Sequence, residues 1–215
     1  MAILKGPHDD HFRGKLGGYA IYDLNGQIIK RKIGTRVKPY SALEIANHKT
    51  MADMTALLKP VKEFIEVGFE NAGRTQRKTP YNMAYSVNYH SALIGDHPNK
   101  VIDFKKVLFS KGDMPLTENL LAELTDEGIS FSWNPDLTNP GFKANDRAMF
   151  MAYLPQKHFG VFQLSGARRS QGKELLALPA SKRTVTVETY ISFISANHKS
   201  ISDSFYTGQF NWKSL

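Results

Sequence analysis

From about Asn119 to Phe210, apolar residues recur in short runs broken by Gly, Pro, Asn and Asp roughly every ten residues. This spacing confines the second half of the chain to an antiparallel β structure. In Ile129-Ser130-Phe131-Ser132-Trp133 every second side chain is apolar, as a strand with one face in a core requires. The pattern predicts strands over 119–125, 129–134, 148–154, 159–164, 174–178, 185–194 and 201–206, with 101–109 as a linking strand. Short strands in that number, each closed by turn residues, predict an immunoglobulin-like or fibronectin-type-III-like sandwich. Trp133 would lie at its centre, facing Tyr190 or Phe193 from the opposite sheet.

The first half reads differently. Gly14, Gly17 and Gly18 form a Gly-rich lead-in, and runs 19–24 and 27–33 flank Asn25-Gly26. Asn-Gly marks a hairpin because a type I′ turn needs positive φ at both central positions. A lone hairpin is marginally stable in water and is expected to lean on a helix, on the sandwich or on a second copy of the chain. Ser41 with Glu44 resembles a capping box ahead of Leu43, Ala46, Met51, Met54, Leu57 and Leu58, which predicts a helix over 42–58. Pro60 interrupts or restarts it, and Val61, Phe64, Ile65 and Phe69 continue the apolar spacing toward Gly68 and Gly73. Thr79-Pro80 repeats a cap-then-proline start, leading to a helix through Tyr81, Ala84, Tyr85, Asn88 and Leu93 that Gly95 and Pro98 end. The expected class is therefore α+β: a hairpin and small helical layer over 1–100, and a sandwich domain over 101–215.

Composition limits the chemistry. The 215 residues are 41% hydrophobic, enough for a substantial core, and contain no Cys, which excludes disulfides, thiolate metal sites and Cys nucleophiles. Residues 1–10 lack the apolar stretch of a secretory signal, and no run approaches the ~20 apolar residues of a membrane span. The default expectation is a soluble, cytoplasmic protein, with non-classical export or association with a particle left open.

The net charge of +8 is concentrated at the front: residues 1–100 carry +6 and the remainder +2. Lys30, Arg31, Lys32, Arg36 and Lys38 lie in a stretch with no carboxylate between Asp23 and Glu44. Such a strip attracts a polyanion such as nucleic acid; it also suits a solvated edge strand kept from aggregating by its charges. Arg168, Arg169 and Lys173 form a second basic spot, which reads as a solvated hairpin tip.

Motifs of catalysis are sparse. His8-Asp9-Asp10-His11 has metal-ligand residue types, but near a terminus it lacks the separated, rigidly held ligands of a zinc site, and no metal or cofactor is expected. Gly14-Lys15-Leu16-Gly17-Gly18 is too short for a phosphate-binding loop, and Leu164-Ser165-Gly166 lacks the strand-to-helix setting of a nucleophile elbow. Asp126-Glu127 falls in a turn.

Gly14-Lys15-Leu16-Gly17, Leu58-Lys59-Pro60-Val61-Lys62 leading to Gly68-Phe69, and Thr79-Pro80-Tyr81-Asn82 resemble segments of a family of roughly 200-residue proteins. So do Val107-Leu108-Phe109-Ser110-Lys111-Gly112, Leu178-Pro179-Ala180 and Ser204-Phe205-Tyr206-Thr207-Gly208. The family occurs in Bacteroidota and is known only as a domain of unknown function; the resemblance spans nearly the whole chain and implies no catalytic residues. Where family members often have a Trp near the hairpin turn, this chain has Tyr19 and Tyr22.

The expected function is a non-enzymatic structural or adaptor protein. It would assemble with itself or dock on a protein through the sandwich and the hairpin, with Tyr19, Tyr22, Phe210 and Trp212 as aromatic anchors. The last two also fit a strand packed on its own core. The alternative is a nucleic-acid-associated protein using Lys30, Arg31, Lys32, Arg36 and Lys38.

Overall fold

The computed structural model describes residues 3–4, 12–24, 26–135 and 137–214. It divides into two compact units, Met1–Ser41 and Ala42–Leu215. Helices and antiparallel sheets together make the chain α+β, as the pattern predicts.

The larger unit is built around strand β9 (Arg147–Leu154). Its sequence is a near-continuous apolar run, which a strand carries when both of its faces are covered. Alternate residues serve two separate cores. Ala148, Phe150, Ala152 and Leu154 enter one, and Met149, Met151 and Tyr153 enter the other. Strand β9 lies between β10 (Phe159–Gln163) and β12 (Val185–Ile194), and β13 (Phe205–Trp212) completes the sheet in the order β10-β9-β12-β13.

A second sheet, ordered β11-β8-β7, is formed by β7 (Leu121–Leu124), β8 (Gly128–Ser132) and β11 (Lys173–Ala177). Ile129, Phe131 and Leu176 from this sheet share a core with Phe150, Val187, Ile191 and Phe193 from the first. Phe131 and Phe150 have ring centroids 4.7 Å apart. Trp133 packs edge-on against Phe193 at 5.7 Å and donates its indole N–H to the Arg169 carbonyl at 2.7 Å. Of its two expected neighbours, Tyr190 belongs to the other core.

That other core is closed by helices α1 (Ala42–Leu58), α2 (Lys62–Gly68), α3 (Glu70–Thr75) and α4 (Pro80–Ser91). Pro60 lies in a 3-10 turn, Lys59–Val61, between α1 and α2, because it cannot supply the amide that a continuous helix needs. Thr79 caps α4 by accepting from the Asn82 amide at 3.2 Å, with Pro80 in the first turn. Met54, Leu57, Leu58, Phe64, Ile65 and Phe69 fill the space against the sheet. Gly160 on β10 makes this approach close: a Cβ there would run into Val61 Cγ1 and approach Met151 Sδ.

Two expected strands take other forms. Within 101–109 only β6 (Val101–Ile102) is a strand, paired with β5 (Leu93–Ile94). Asp103 then accepts from the Lys105 amide at 3.1 Å and starts a 3-10 turn. After this turn the chain is held by Asn88, whose amide donates to the Leu108 carbonyl and whose Oδ1 accepts from the Leu108 amide, both at 2.8 Å. The final strand is Phe205–Trp212 rather than 201–206. Residues 201–204 join the end of β12 to the 109–114 segment: Ile201 bridges Ile194 and the Ser202 amide donates to the Phe193 carbonyl at 2.9 Å, while the Met114 amide donates to the Ile201 carbonyl at 3.0 Å and Ser204 Oγ accepts from the Phe109 amide at 2.9 Å.

Gly160→Ala is expected to lower unfolding stability by about 1–3 kcal/mol, through overpacking against Val61. Chemical denaturation of the two proteins measures it, and an unchanged midpoint would contradict the close packing of helices on β10.

Candidate interaction surface

The smaller unit is a meander of β1 (Ile3–Leu4), β2 (Phe12–Leu16), β3 (Tyr19–Leu24) and β4 (Gln27–Lys32), hydrogen-bonded in that order. The Gly-rich lead-in is therefore a strand. Gly17 and Gly18, with φ of +54° and +78°, turn β2 into β3, a Gly-Gly hairpin signal as readable as the Asn-Gly one. At the next turn Gly26 has φ +80° and donates its amide to Asp23 Oδ1 at 2.8 Å; Asn25 lies outside the described residues.

Register sorts the side chains. Tyr19 stands opposite Lys32 and Leu16, Ile21 opposite Lys30, and Asp23 opposite Ile28. Directly opposed residues share a face, so Leu16, Tyr19, Ile21, Asp23, Ile28, Lys30 and Lys32 lie together, with the Asp23 carboxylate engaged by Arg13. Ala20, Tyr22, Leu24, Ile29 and Arg31 occupy the reverse. Each face mixes apolar, aromatic and cationic groups, which explains the absence of a clean apolar alternation in the sequence. Lys30 Nζ sits 4.6 Å from the Tyr19 ring centroid and the Arg31 guanidinium 5.9 Å from that of Tyr22. Beyond β4, Arg36 donates to the Lys38 and Pro39 carbonyls at 2.7 and 3.2 Å and covers the Tyr40 ring at 4.1 Å.

None of the described side chains of this unit is buried. Leu16 is 52% exposed, Leu24 53%, Ile28 45% and Tyr19 40%. Arg13 pairs with Asp23 at 3.4 Å, whereas among the described residues Lys30, Arg31 and Lys32 have no carboxylate partner.

The other aromatic candidates lie in the larger unit. Trp212 is 3% exposed and donates its indole N–H to the Pro179 carbonyl at 2.9 Å; Phe210 packs beside it on the inter-sheet core. Trp212 is consumed by the fold of its own chain, so it is not available as a surface anchor.

The second basic spot is also corrected. Arg168 is exposed, but Arg169 is fully buried. Its guanidinium lies between the rings of Phe142 and Phe193, at 4.3 and 4.0 Å, with Nε 3.4 Å from Asp146 Oδ2 and Nη1 donating to Thr117 Oγ1 at 3.0 Å. Burial pulls its pKa down and the Asp146 carboxylate opposes that pull. Arg169 joins three loops at one end of the two sheets. Removing one partner of a buried pair strands the other. Arg169→Ala should cost about 3–5 kcal/mol of unfolding stability and Arg168→Ala less than about 0.5 kcal/mol, read by denaturant titration.

A third polar cluster lies on the helical side of the central sheet. Glu188 is buried and accepts from Tyr206 Oη at 2.8 Å; Tyr190 Oη donates to the Phe104 carbonyl at 2.7 Å. Burial raises the Glu188 pKa, against hydrogen bonds from Tyr206 and Gln209 and the charge of Lys105. Burial also pushes the Tyr153 phenol up to about 12 and raises those of Tyr190 and Tyr206. Beside Tyr153 is a cavity of about 230 Å3, lined by Asp53, Leu57, Ile102, Phe104 and His158. A carboxyl whose folded pKa is raised contributes full stability below its unfolded pKa, and that contribution is lost as pH rises through the folded value. Stability should therefore decline above about pH 4.5, the ordinary value for this carboxyl. Glu188→Gln should remove that component, matching the parent near pH 4 and exceeding it near pH 8; identical pH profiles would refute the assignment.

Among the described residues, no group of three or more His, Asp or Glu is placed to hold a metal ion, and His8 to His11 lie outside them. Nor is any helix among them long and apolar enough to cross a membrane.

Residues 28–208 match the model of a family of unknown function, DUF6266, and the chain belongs to that family. No curated protein and no solved structure matches it.

Proposed function

We propose that this member of DUF6266 is a structural adaptor: a rigid body, Ala42–Leu215, carrying a separate docking sheet in Met1–Ser41. The body reads as a fibronectin-type-III-like sandwich backed by helices. Strands one, two and five of its seven form one sheet, and four, three, six and seven the other. Its work on this reading is attachment, with the N-terminal sheet as the working surface.

The observation that carries the reading is a four-stranded sheet in which none of the described side chains is buried. Backbone ordering costs roughly 1–2 kcal/mol per residue, and burial of apolar surface is the main compensation. Leu16, Tyr19, Tyr22, Leu24 and Ile28 keep 38–53% of their surface in water and supply only part of it. Such a sheet gains its stability when a partner covers it.

Hydrogen exchange combined with light scattering tests this. In a monomer, the amides of β3 and β4 should exchange orders of magnitude faster than those of β9 and β12. In an oligomer, the same amides should become protected. A monomer whose β3 and β4 amides are as protected as those of β9 would overturn the reading, as would an oligomer that leaves them unprotected.

A further inference from the structure

We infer that the partner of the N-terminal sheet is single-stranded nucleic acid, laid along the face that carries Tyr19, Lys30 and Lys32. The inference rests on the adaptor reading above and names the chemistry of its partner.

Charge decides the class. Lys30 and Lys32 stand on one face of one strand, about 7 Å apart. Lys38 follows a few residues beyond, and no carboxylate interrupts the stretch between Asp23 and Glu44. Lys30 and Lys32, two strand positions on one face with no carboxylate partner among the described residues, oppose the close approach of a second copy through the same face. They favour a polyanion.

Aromatic geometry decides the kind of polyanion. Tyr19 is 40% exposed, and Lys30 approaches its ring at 4.6 Å. The Lys30 ammonium sits over the ring, so a base stacks on Tyr19 when that ammonium leaves the ring face for the adjoining phosphate. Leu16 and Ile28 extend the apolar ground on the same face. Stacking of this kind needs unpaired bases, and no helix in this unit enters a duplex groove among the described residues. An acidic peptide would satisfy the lysines and leave Tyr19 without a role.

The experiment is fluorescence anisotropy of a labelled 20-nucleotide oligo-dT with the full chain, alongside a 20-base-pair duplex and poly-glutamate, between 50 and 200 mM salt. Tighter binding of oligo-dT than of either control is expected. With three or four phosphates neutralised, the log–log salt slope should be about −2 to −3, which weakens binding roughly 30-fold over that range. Reversal of both lysines, Lys30→Glu with Lys32→Glu, should weaken binding at least a hundredfold. Tyr19→Leu should weaken it roughly tenfold with the salt slope unchanged.

Absence of oligo-dT binding at 50 mM salt overturns the inference, as does indifference to the lysine reversal or to Tyr19→Leu, or equal binding of duplex or poly-glutamate. Light scattering separates the two levels of failure. An oligomer that ignores oligo-dT and is dispersed by Ile28→Glu makes a second copy the partner and leaves the adaptor reading intact. A monomer that ignores oligo-dT and has protected β3 and β4 amides removes both.

Discussion

The larger unit depends on one constraint, that the central sheet must be covered on both faces. Strand β9 sets it, because its alternate residues are apolar in both directions. With Phe150 on one side and Met151 on the other, neither face tolerates water. One side is met by the sheet of β7, β8 and β11 and the other by the helices. Tyr190 and Phe193 show the consequence: both are apolar and close in sequence, yet they belong to different cores.

Buried polar groups then fix the paths of the connecting segments. Asn88 holds the chain after the 3-10 turn, Ser204 holds residues 109–110, and Arg169 gathers the loops that bear Thr117, Phe142 and Asp146. A hydrogen bond adds only about 1 kcal/mol net, but leaving its partner buried and unmet costs more. These side chains therefore act mainly against alternative routes for the chain, including the straight strand that 201–206 could otherwise form.

The N-terminal unit has the reverse character. Gly17 and Gly18 turn β2 into β3 and Gly26 leads into β4 at positive φ, so this part of its shape is specified locally, but its described apolar and aromatic side chains remain at the surface among lysines and arginines. Local specification without burial suits an element that is completed by something else. On the adaptor reading proposed above, the larger unit supplies stability and the N-terminal sheet recognition.

Periodicity in the sequence was enough to determine six of the seven sandwich strands to within two residues at either end, β12 to the residue, the extent of α1 and the capped start of α4, but not the strands expected over 101–109 and 201–206. These are matters of neighbours in the chain: alternation, a threonine before a proline, glycine where φ is positive. The hairpin between β2 and β3 was equally local, legible in Gly17-Gly18 though masked by the surrounding glycines. The candidate surface was legible in type, as Tyr19, Tyr22 and the cations from Lys30 to Lys38, but its grouping into faces needed the register. Only the tertiary structure decided that Arg169 is a core residue while Arg168 is not, that Trp212 is enclosed, and that 201–204 meets 109–114 as well as the end of β12. Those outcomes depend on partners on other segments, Thr117 at 52 residues from Arg169 and Phe109 at 95 from Ser204 among them. A local pattern reports the propensity of a segment and carries no record of which distant group will cover it.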